Sequence, residues 1–527
     1  MVHEQRKSPA CKGLGRHSVK TRPKEDDQSM TSISSTGASF AASAAGMRPT
    51  VSVRSSATTA TAAPADPGTQ VTLGQSTGSS VIYAKPQPVE LGQFRLTRAW
   101  STQDRDDIST LMARNLGLGP SASLADRWRG LGGALLSRFA ATPSDYQQTV
   151  AEYQAPTAAD SVAGSADAQA LDKSALSDVS VGAATVSLKI RTQSGQTVEL
   201  RIATNDGSEA GSSSGLRVEV KSSGTLSKAE SAAIAQLADG LDEALEGLGK
   251  PGKPQLELGK LMDFDRSVLS GLDLDIKNPK PSQPLSSFSL HVGADGRSVA
   301  MKGAAGELAV NLESDAPVGA SASQRQAALD QHLKRFDAAA QRGRADAALV
   351  DMFKSAFSQL HNAQAPAAPG AIVALSGLER SVQSLQSGLA DFQASFSGDF
   401  ENTNEFGAVT EVGRAEYQVG QKTTRQSRGT EGESIAQVVT ESLNAESKKA
   451  RNRSMLDLQS GNYDLTKVQD SRTITTLIET AGKQVTGAQR KTQERQMQTW
   501  DQLVEHRTQQ HRETPGGRSF TEQLALR

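Results

Sequence analysis

The stretch Leu375–Phe396, LSGLERSVQSLQSGLADFQASF, decides how the chain is read. Its apolar residues Leu375, Leu378, Val382, Leu385, Leu389, Phe392 and Phe396 fall at alternating steps of three and four. That period predicts one continuous apolar seam on a helix, which must bury itself against another helix. Upstream, Leu329, Leu333, Phe336, Ala340, Gly343, Ala347 and Val350 keep the same alternation, and Phe353, Phe357 and Leu360 resume it after one shortened step. Between the two lies HNAQAPAAPG, residues 361–370, whose two prolines cannot stay helical. The spacing therefore predicts an antiparallel helical hairpin, a short coiled coil, over 323–396. Ser323 with Gln326 is the expected capping box at its start.

On the N-terminal side, 181–313 reads as an α+β domain. Val186, Leu188 and Ile190 alternate with polar residues, Ser194-Gly195 turns the chain, and Val198, Leu200 and Ile202 alternate again, which predicts a β-hairpin. Leu216, Val218 and Val220 form a third strand. Ser227 and Glu230 make a capping box for a helix with an apolar face of Ile234, Leu237, Leu241, Leu245 and Leu248. Further strands follow from Phe288 to Leu312. Residues 141–180 read as a linker, and 91–140 as short helices on Ile108–Leu116 and Leu124–Phe139. Residues 1–90 read as a disordered leader, since Ser, Thr, Ala and Gly bury too little apolar surface to offset ordering entropy.

On the C-terminal side, 407–480 carries strand-like alternation with few aromatics and reads as a thin β-rich segment packed on the hairpin. Residues 481–512 read as a polar helix with a weak stripe at Trp500 and Leu503, and 513–527 as a tail. The expected fold class is thus α+β: a disordered N-terminal region, a small antiparallel-sheet-plus-helix domain, and a helical hairpin with a thin C-terminal sheet and helix.

Composition bounds the function. Hydrophobic residues are 36% and aromatics 4%, low for a chain of 527 residues, so much of it is expected to lie outside any large core. A formal net charge of −1 supplies no global field for nucleic acid or an anionic membrane. The single cysteine, Cys11, excludes intramolecular disulfides and thiolate clusters. No apolar run reaches the length of a bilayer span, and neither Met1 nor Met30, both candidate starts, is followed by a secretory h-region.

The motifs that suggest chemistry have structural explanations. The G-x-S-x-G matches at Ser76 and Ser213 lie in a Ser-rich leader and a hairpin loop, whereas a nucleophile elbow needs a strand before the serine and a helix after it. Gly247-Leu-Gly249-Lys-Pro-Gly252 follows a helix, as a glycine stop does, and a dinucleotide site would precede one. His506 and His511 are five apart and do not share a helix face, and His332 reads as a partly buried helix residue. Asp263, Asp265, Asp273 and Asp275 lack the glycine and closing glutamate of a calcium loop. The basic runs 448–453 and 490–495 have no interleaved aromatics and read as solvated faces. No catalytic residue, cofactor or metal is expected.

The stretch GLRVEVKSSGTLSKAESAAIAQLADGLDEAL, followed by LGKLMDFDRSVLSGLDLDI, resembles a group of uncharacterised proteobacterial proteins over about 181–313. In that group a strand hairpin runs into an acidic Ala/Leu helix, a Leu/Asp segment and further strands. This chain has Lys260-Leu-Met-Asp263-Phe-Asp265 where the group tends to Gly-Phe-Asp. The resemblance implies a bacterial origin and the α+β unit, and no activity. The expectation is a non-enzymatic interaction or scaffold protein, binding a protein partner or itself through helical surfaces, with no nucleic acid and no membrane span, in the cytoplasm. One alternative is an exported, effector-like protein leaving by a Sec-independent route, because unfolded Ser/Thr/Ala leaders occur on type III substrates. The other is a hydrolase of unrecognised geometry.

Overall fold

More of the described residues lie in strands than in helices. The computed structural model describes residues 94–526, apart from 103–105, 120, 157–164, 182, 208–212, 252–253, 280–283, 314–319, 364–374, 430–431 and 452–454. Among the described residues fifteen strands form one sheet, in the order β1-β2-β5-β4-β3-β6-β7-β8-β9-β10-β11-β12-β13-β14-β15, and each neighbouring pair is antiparallel. The first strands are β1 (Phe94–Trp100), β2 (Tyr146–Pro156), β3 (Ala184–Thr192), β4 (Thr197–Asp206) and β5 (Ser214–Ser222). Next come β6 (Leu269–Lys277), β7 (Ser287–Val292), β8 (Gly296–Gly303), β9 (Gly306–Glu313) and β10 (Phe392–Thr403). The last five include the longest, β11 (Val409–Ser427), β12 (Glu433–Ala450), β13 (Tyr463–Ala481), β14 (Gln484–Val504) and β15 (Arg507–Gln523).

The alternation read at 186–202 is present. In β3, every second residue is buried, and Val186, Leu188 and Ile190 face Ile202, Leu200 and Val198 of β4. Those side chains meet helices α1 (Asp107–Leu116), α2 (Leu124–Trp128), α3 (Leu131–Ala141), α5 (Lys228–Gln236), α6 (Ala238–Leu248) and the short α7 (Gly259–Met262) in one core. The Ser227/Glu230 capping box forms as read. Gly130, at φ 70, splits the helix expected over 124–139 into α2 and α3.

The helical hairpin is overturned, and no coiled coil is present among the described residues. Its first arm is two helices, α8 (Ala322–Gly343) and α9 (Ala347–Asn362), joined through Arg344 in the left-handed region at φ 57. The shortened step in the sequence was a helix end. Asp346 caps the next helix, accepting from the Leu349 amide at 2.9 Å. The start is capped by Ser321, two residues before the expected Ser323. In the second arm only α10 (Gly377–Leu385) is helical. Phe392, Ala394 and Phe396 then point inward from β10, which pairs with β9. A spacing of four is about one helical turn and also two strand repeats, so Phe392 and Phe396 share a face in either conformation. The apolar face of α9 lies on the sheet: Phe353 and Phe357 pack among Phe336, Phe392, Phe396 and Tyr417.

Other boundaries change with it. The expected linker 141–180 contains β2, inserted between β1 and β5, and helix α4 (Ser165–Asp178). The β9–β10 pairing carries the sheet across the boundary drawn at 313, and the described residues belong to one compact unit. The polar helix at 481–512 and the tail at 513–527 are instead β14 and β15. Short turns explain why. Gly482 at φ 58 joins β13 to β14, and Glu505 and His506, at φ 49 and 61, join β14 to β15 in the doubly left-handed geometry that favours tight hairpins. Among the described residues no helix is long and apolar enough to cross a membrane. The leader 1–90 lies outside the described residues.

Candidate functional site: the open end of the sheet

Helical cover ends before the sheet does. α8 reaches its last strands through Arg342, whose guanidinium pairs with Asp470 on β13 and lies 3.5 Å from Gln498 on β14. α10 covers a separate small core, placing Val382 against Ile435, Ile478 and Ala488. Past these contacts β14 is only half-buried, and all 17 residues of β15 are exposed. Register puts Trp500, Arg512, Thr514, Arg518 and Phe520 on the face that carries Ile474 and Ile478. Phe520 is 44% exposed there, with the Arg518 guanidinium 5.7 Å from its ring centre.

The backbone of β15 has a definite polarity. The Leu524 amide donates to the Ala488 carbonyl at 2.9 Å, on the same register as the strand. Even-numbered residues of the strand's regular part therefore turn their N–H and C=O toward β14, and odd-numbered ones, His511 to Gln523, turn theirs away. Pro515 falls in the outward set, the only place in a ladder where a missing N–H breaks nothing. Side chains tie the strand back: Arg518 to Glu494 at 2.8 Å, Arg490 to Glu522 at 3.5 Å, and His511 between Asp501 at 2.5 Å and Glu513 at 3.3 Å. The two carboxylates, Asp501 first, raise the His511 pKa. Such exposed pairs are screened by solvent, so they set register more than stability.

The residues singled out in the sequence do not converge. Ser76 and Gly252 lie outside the described residues. Ser213 is buried just ahead of β5, where it begins a strand and no helix follows. Gly249 is the C-cap of α6. His332 is 4% exposed, and burial beside Phe336, Phe357 and Phe392 pushes its pKa down to about 3. Burial likewise pushes His361 down to about 4. His506 sits in the β14–β15 turn, its Nε2 3.0 Å from the Gln459 carbonyl. Asp273 pairs with Arg191 and His291, while Asp265 caps Ser267. Among the described residues no group of three or more His, Cys, Asp or Glu side chains could hold a metal. Strand alternation also splits the 490–495 run, with Arg490 and Glu494 on one face and Lys491 and Arg495 on the other.

The edge itself was missed because β14 and β15 are rich in Gln, Thr, Arg and Glu, without the β-branched apolar alternation that marks a strand. The available signals were Gly482 after Ile474–Ile478, and the Pro515-Gly516-Gly517 break in the supposed tail. No protein-family model, curated protein or solved structure matches the chain.

Proposed function

We propose that the chain is a non-enzymatic interaction or scaffold protein whose contact surface is the edge of β15, which no other strand among the described residues covers. The observation that carries this reading is a 17-residue edge strand, exposed throughout, with a row of outward N–H and C=O groups. Such an edge is a template for strand addition, in which backbone hydrogen bonds supply affinity and alternate side chains supply specificity. The helical surfaces first expected to do this are spent on the core, since Leu349, Phe353, Phe357 and Leu360 are fully buried.

Hydrogen exchange over Arg507–Gln523 tests the reading. The full chain is measured at low concentration, alone and with an extract of the cells that produce it. Protection confined to this strand is expected, and it should vanish in Thr521→Pro, which adds a ring on the outward side and leaves the bonds to β14 intact. Unchanged exchange over β15 both in the extract and at high concentration of the chain alone would remove it. Export by a Sec-independent route is a separate proposal resting on leader composition; residues 30–90 fused to a reporter should then leave a secretion-competent cell, and retention would end it.

A further inference from the structure

We infer that the occupant of the β15 edge is a second copy of this chain, paired antiparallel about a two-fold axis through Gly517. This deepens the proposed function and rests on the edge being the contact surface.

Charge and shape along the strand select the partner. A self-pairing edge must match outward residues with outward residues, so Gly517 lies opposite itself, with Pro515 opposite Ser519 and Glu513 opposite Thr521. The even residues then form the closer, non-hydrogen-bonded pairs. Arg512 meets Glu522 of the second copy, Thr514 meets Phe520, and Gly516 meets Arg518. Symmetry repeats each contact, giving two opposite-charge pairs, two aromatic–β-branched pairs and no like-charge pair, the combinations that stabilise neighbouring strands. Phe520, 44% exposed in the single chain, gains cover from Thr514. A shift of two residues one way places Arg518 opposite Arg518, and four the other way places Arg512 opposite Arg518 twice. The intermediate register brings no opposite charges face to face.

Pro515 removes one donor per chain, leaving about a dozen backbone hydrogen bonds across the junction. Gly516 and Gly517 leave the centre without bulky side chains, where Arg518 of the other copy must fit. Pairing is therefore weakened by the proline and not blocked by it. The result is one continuous sheet through two chains, closed by the two-fold axis.

Sedimentation of the full chain, from submicromolar to roughly 100 µM, tests the inference. The expected result is a reversible monomer–dimer equilibrium. Arg512→Glu and Glu522→Arg should each weaken it roughly tenfold, by creating two like-charge pairs. The double variant Arg512→Glu/Glu522→Arg should restore it, and Thr521→Pro should abolish it while leaving the melting curve unchanged at submicromolar concentration, where the wild type is monomeric. A monomer throughout the range, or a dimer indifferent to all four variants, overturns the inference. If the chain is monomeric but the cell extract still protects β15, the partner is another protein and the edge reading stands. If the extract also leaves β15 unprotected, both fall.

Discussion

Acid should unfold this protein through two buried histidines packed against one phenylalanine ring. His332 on α8 and His361 at the end of α9 flank Phe392, their rings each 5.3 Å from its centre. His361 Nδ1 lies 2.8 Å from the Phe357 carbonyl, and its Nε2 is buried with no hydrogen-bond partner among the described residues; so is Nδ1 of His332. Burial holds both neutral, with pKa values lowered from 6.5 to about 3 and about 4. In the unfolded chain both protonate near 6.5. The unfolded state therefore binds more protons below that pH, and stability falls as pH drops from about 6.5 toward 4. At pH 5 each residue sits about 1.5 units below its unfolded pKa, a loss of about 2 kcal/mol each at 1.36 kcal/mol per unit. Together they remove about 4 kcal/mol, a large part of a typical folding free energy. His291 and His511 act in the opposite sense. Their pKa values are raised: for His291 burial acts downward but is outweighed by hydrogen bonds to, and the charges of, Asp273 and Asp295, and for His511 hydrogen bonds to Asp501 and Glu513 raise it. They contribute stability at low pH that is lost as pH rises through their folded values. Substitution isolates the buried pair. His332→Phe and His361→Phe keep a ring in the cluster and remove one titration each, so each should flatten the pH dependence by about 2 kcal/mol between pH 6.5 and 5. Urea unfolding followed by circular dichroism, at fixed ionic strength, reads this. Identical pH slopes for wild type and both variants would refute the reasoning.

Three further outcomes follow from packing and backbone geometry. Phe353→Ala removes a fully buried ring that lies 4.9 Å from Phe336 and 5.1 Å from Phe396, and should cost about 3–5 kcal/mol in urea unfolding; a change below about 1 kcal/mol would mean α9 is not seated on the sheet. Gly306→Ala should destabilise by about 2 kcal/mol or more, because φ is 129 and a Cβ would stand 2.3 Å from the Ser397 carbonyl oxygen; thermal denaturation indistinguishable from wild type would contradict the β8–β9 turn. At submicromolar concentration Thr514→Pro should lower the melting temperature by breaking a ladder bond to Gln498, whereas Thr521→Pro, on the outward set, should leave it within error. Equal effects of the two prolines would show that the polarity assigned to β15 is wrong.

Local signals were legible wherever a residue's immediate neighbours settle its conformation. Val186, Leu188 and Ile190 alternate because one face of their strand is buried, and Ser227 with Glu230 satisfies the first amides of α5 whatever the rest of the chain does. Arg344 and Asp346 could have marked a helix end, since Asp is a strong N-cap, but the apolar steps on either side suggested one continuous helix. Leu375–Phe396 was beyond local reading. Val382 belongs to a helix and Phe392 to a strand, although both sit on the same three-four pattern, because Phe392 finds Leu312 of β9 as its ladder partner some eighty positions earlier in the chain.

The candidate site belongs to the same class. Nothing in RTQQHRETPGGRSFTEQ has the apolar alternation of a buried strand, and alone it has too little to bury to hold an extended form. It is a strand because β14 presents a ladder to it, and β14 is one because β13 packs Ile478 beneath α10. By itself the sequence determined the short-range features, namely alternation, caps and turns, whose energies arise within a few residues. Only the tertiary structure decided that one sheet runs from β1 to β15 and leaves its last edge open, because each strand's unpaired N–H and C=O groups must be satisfied by whichever distant segment folds beside them.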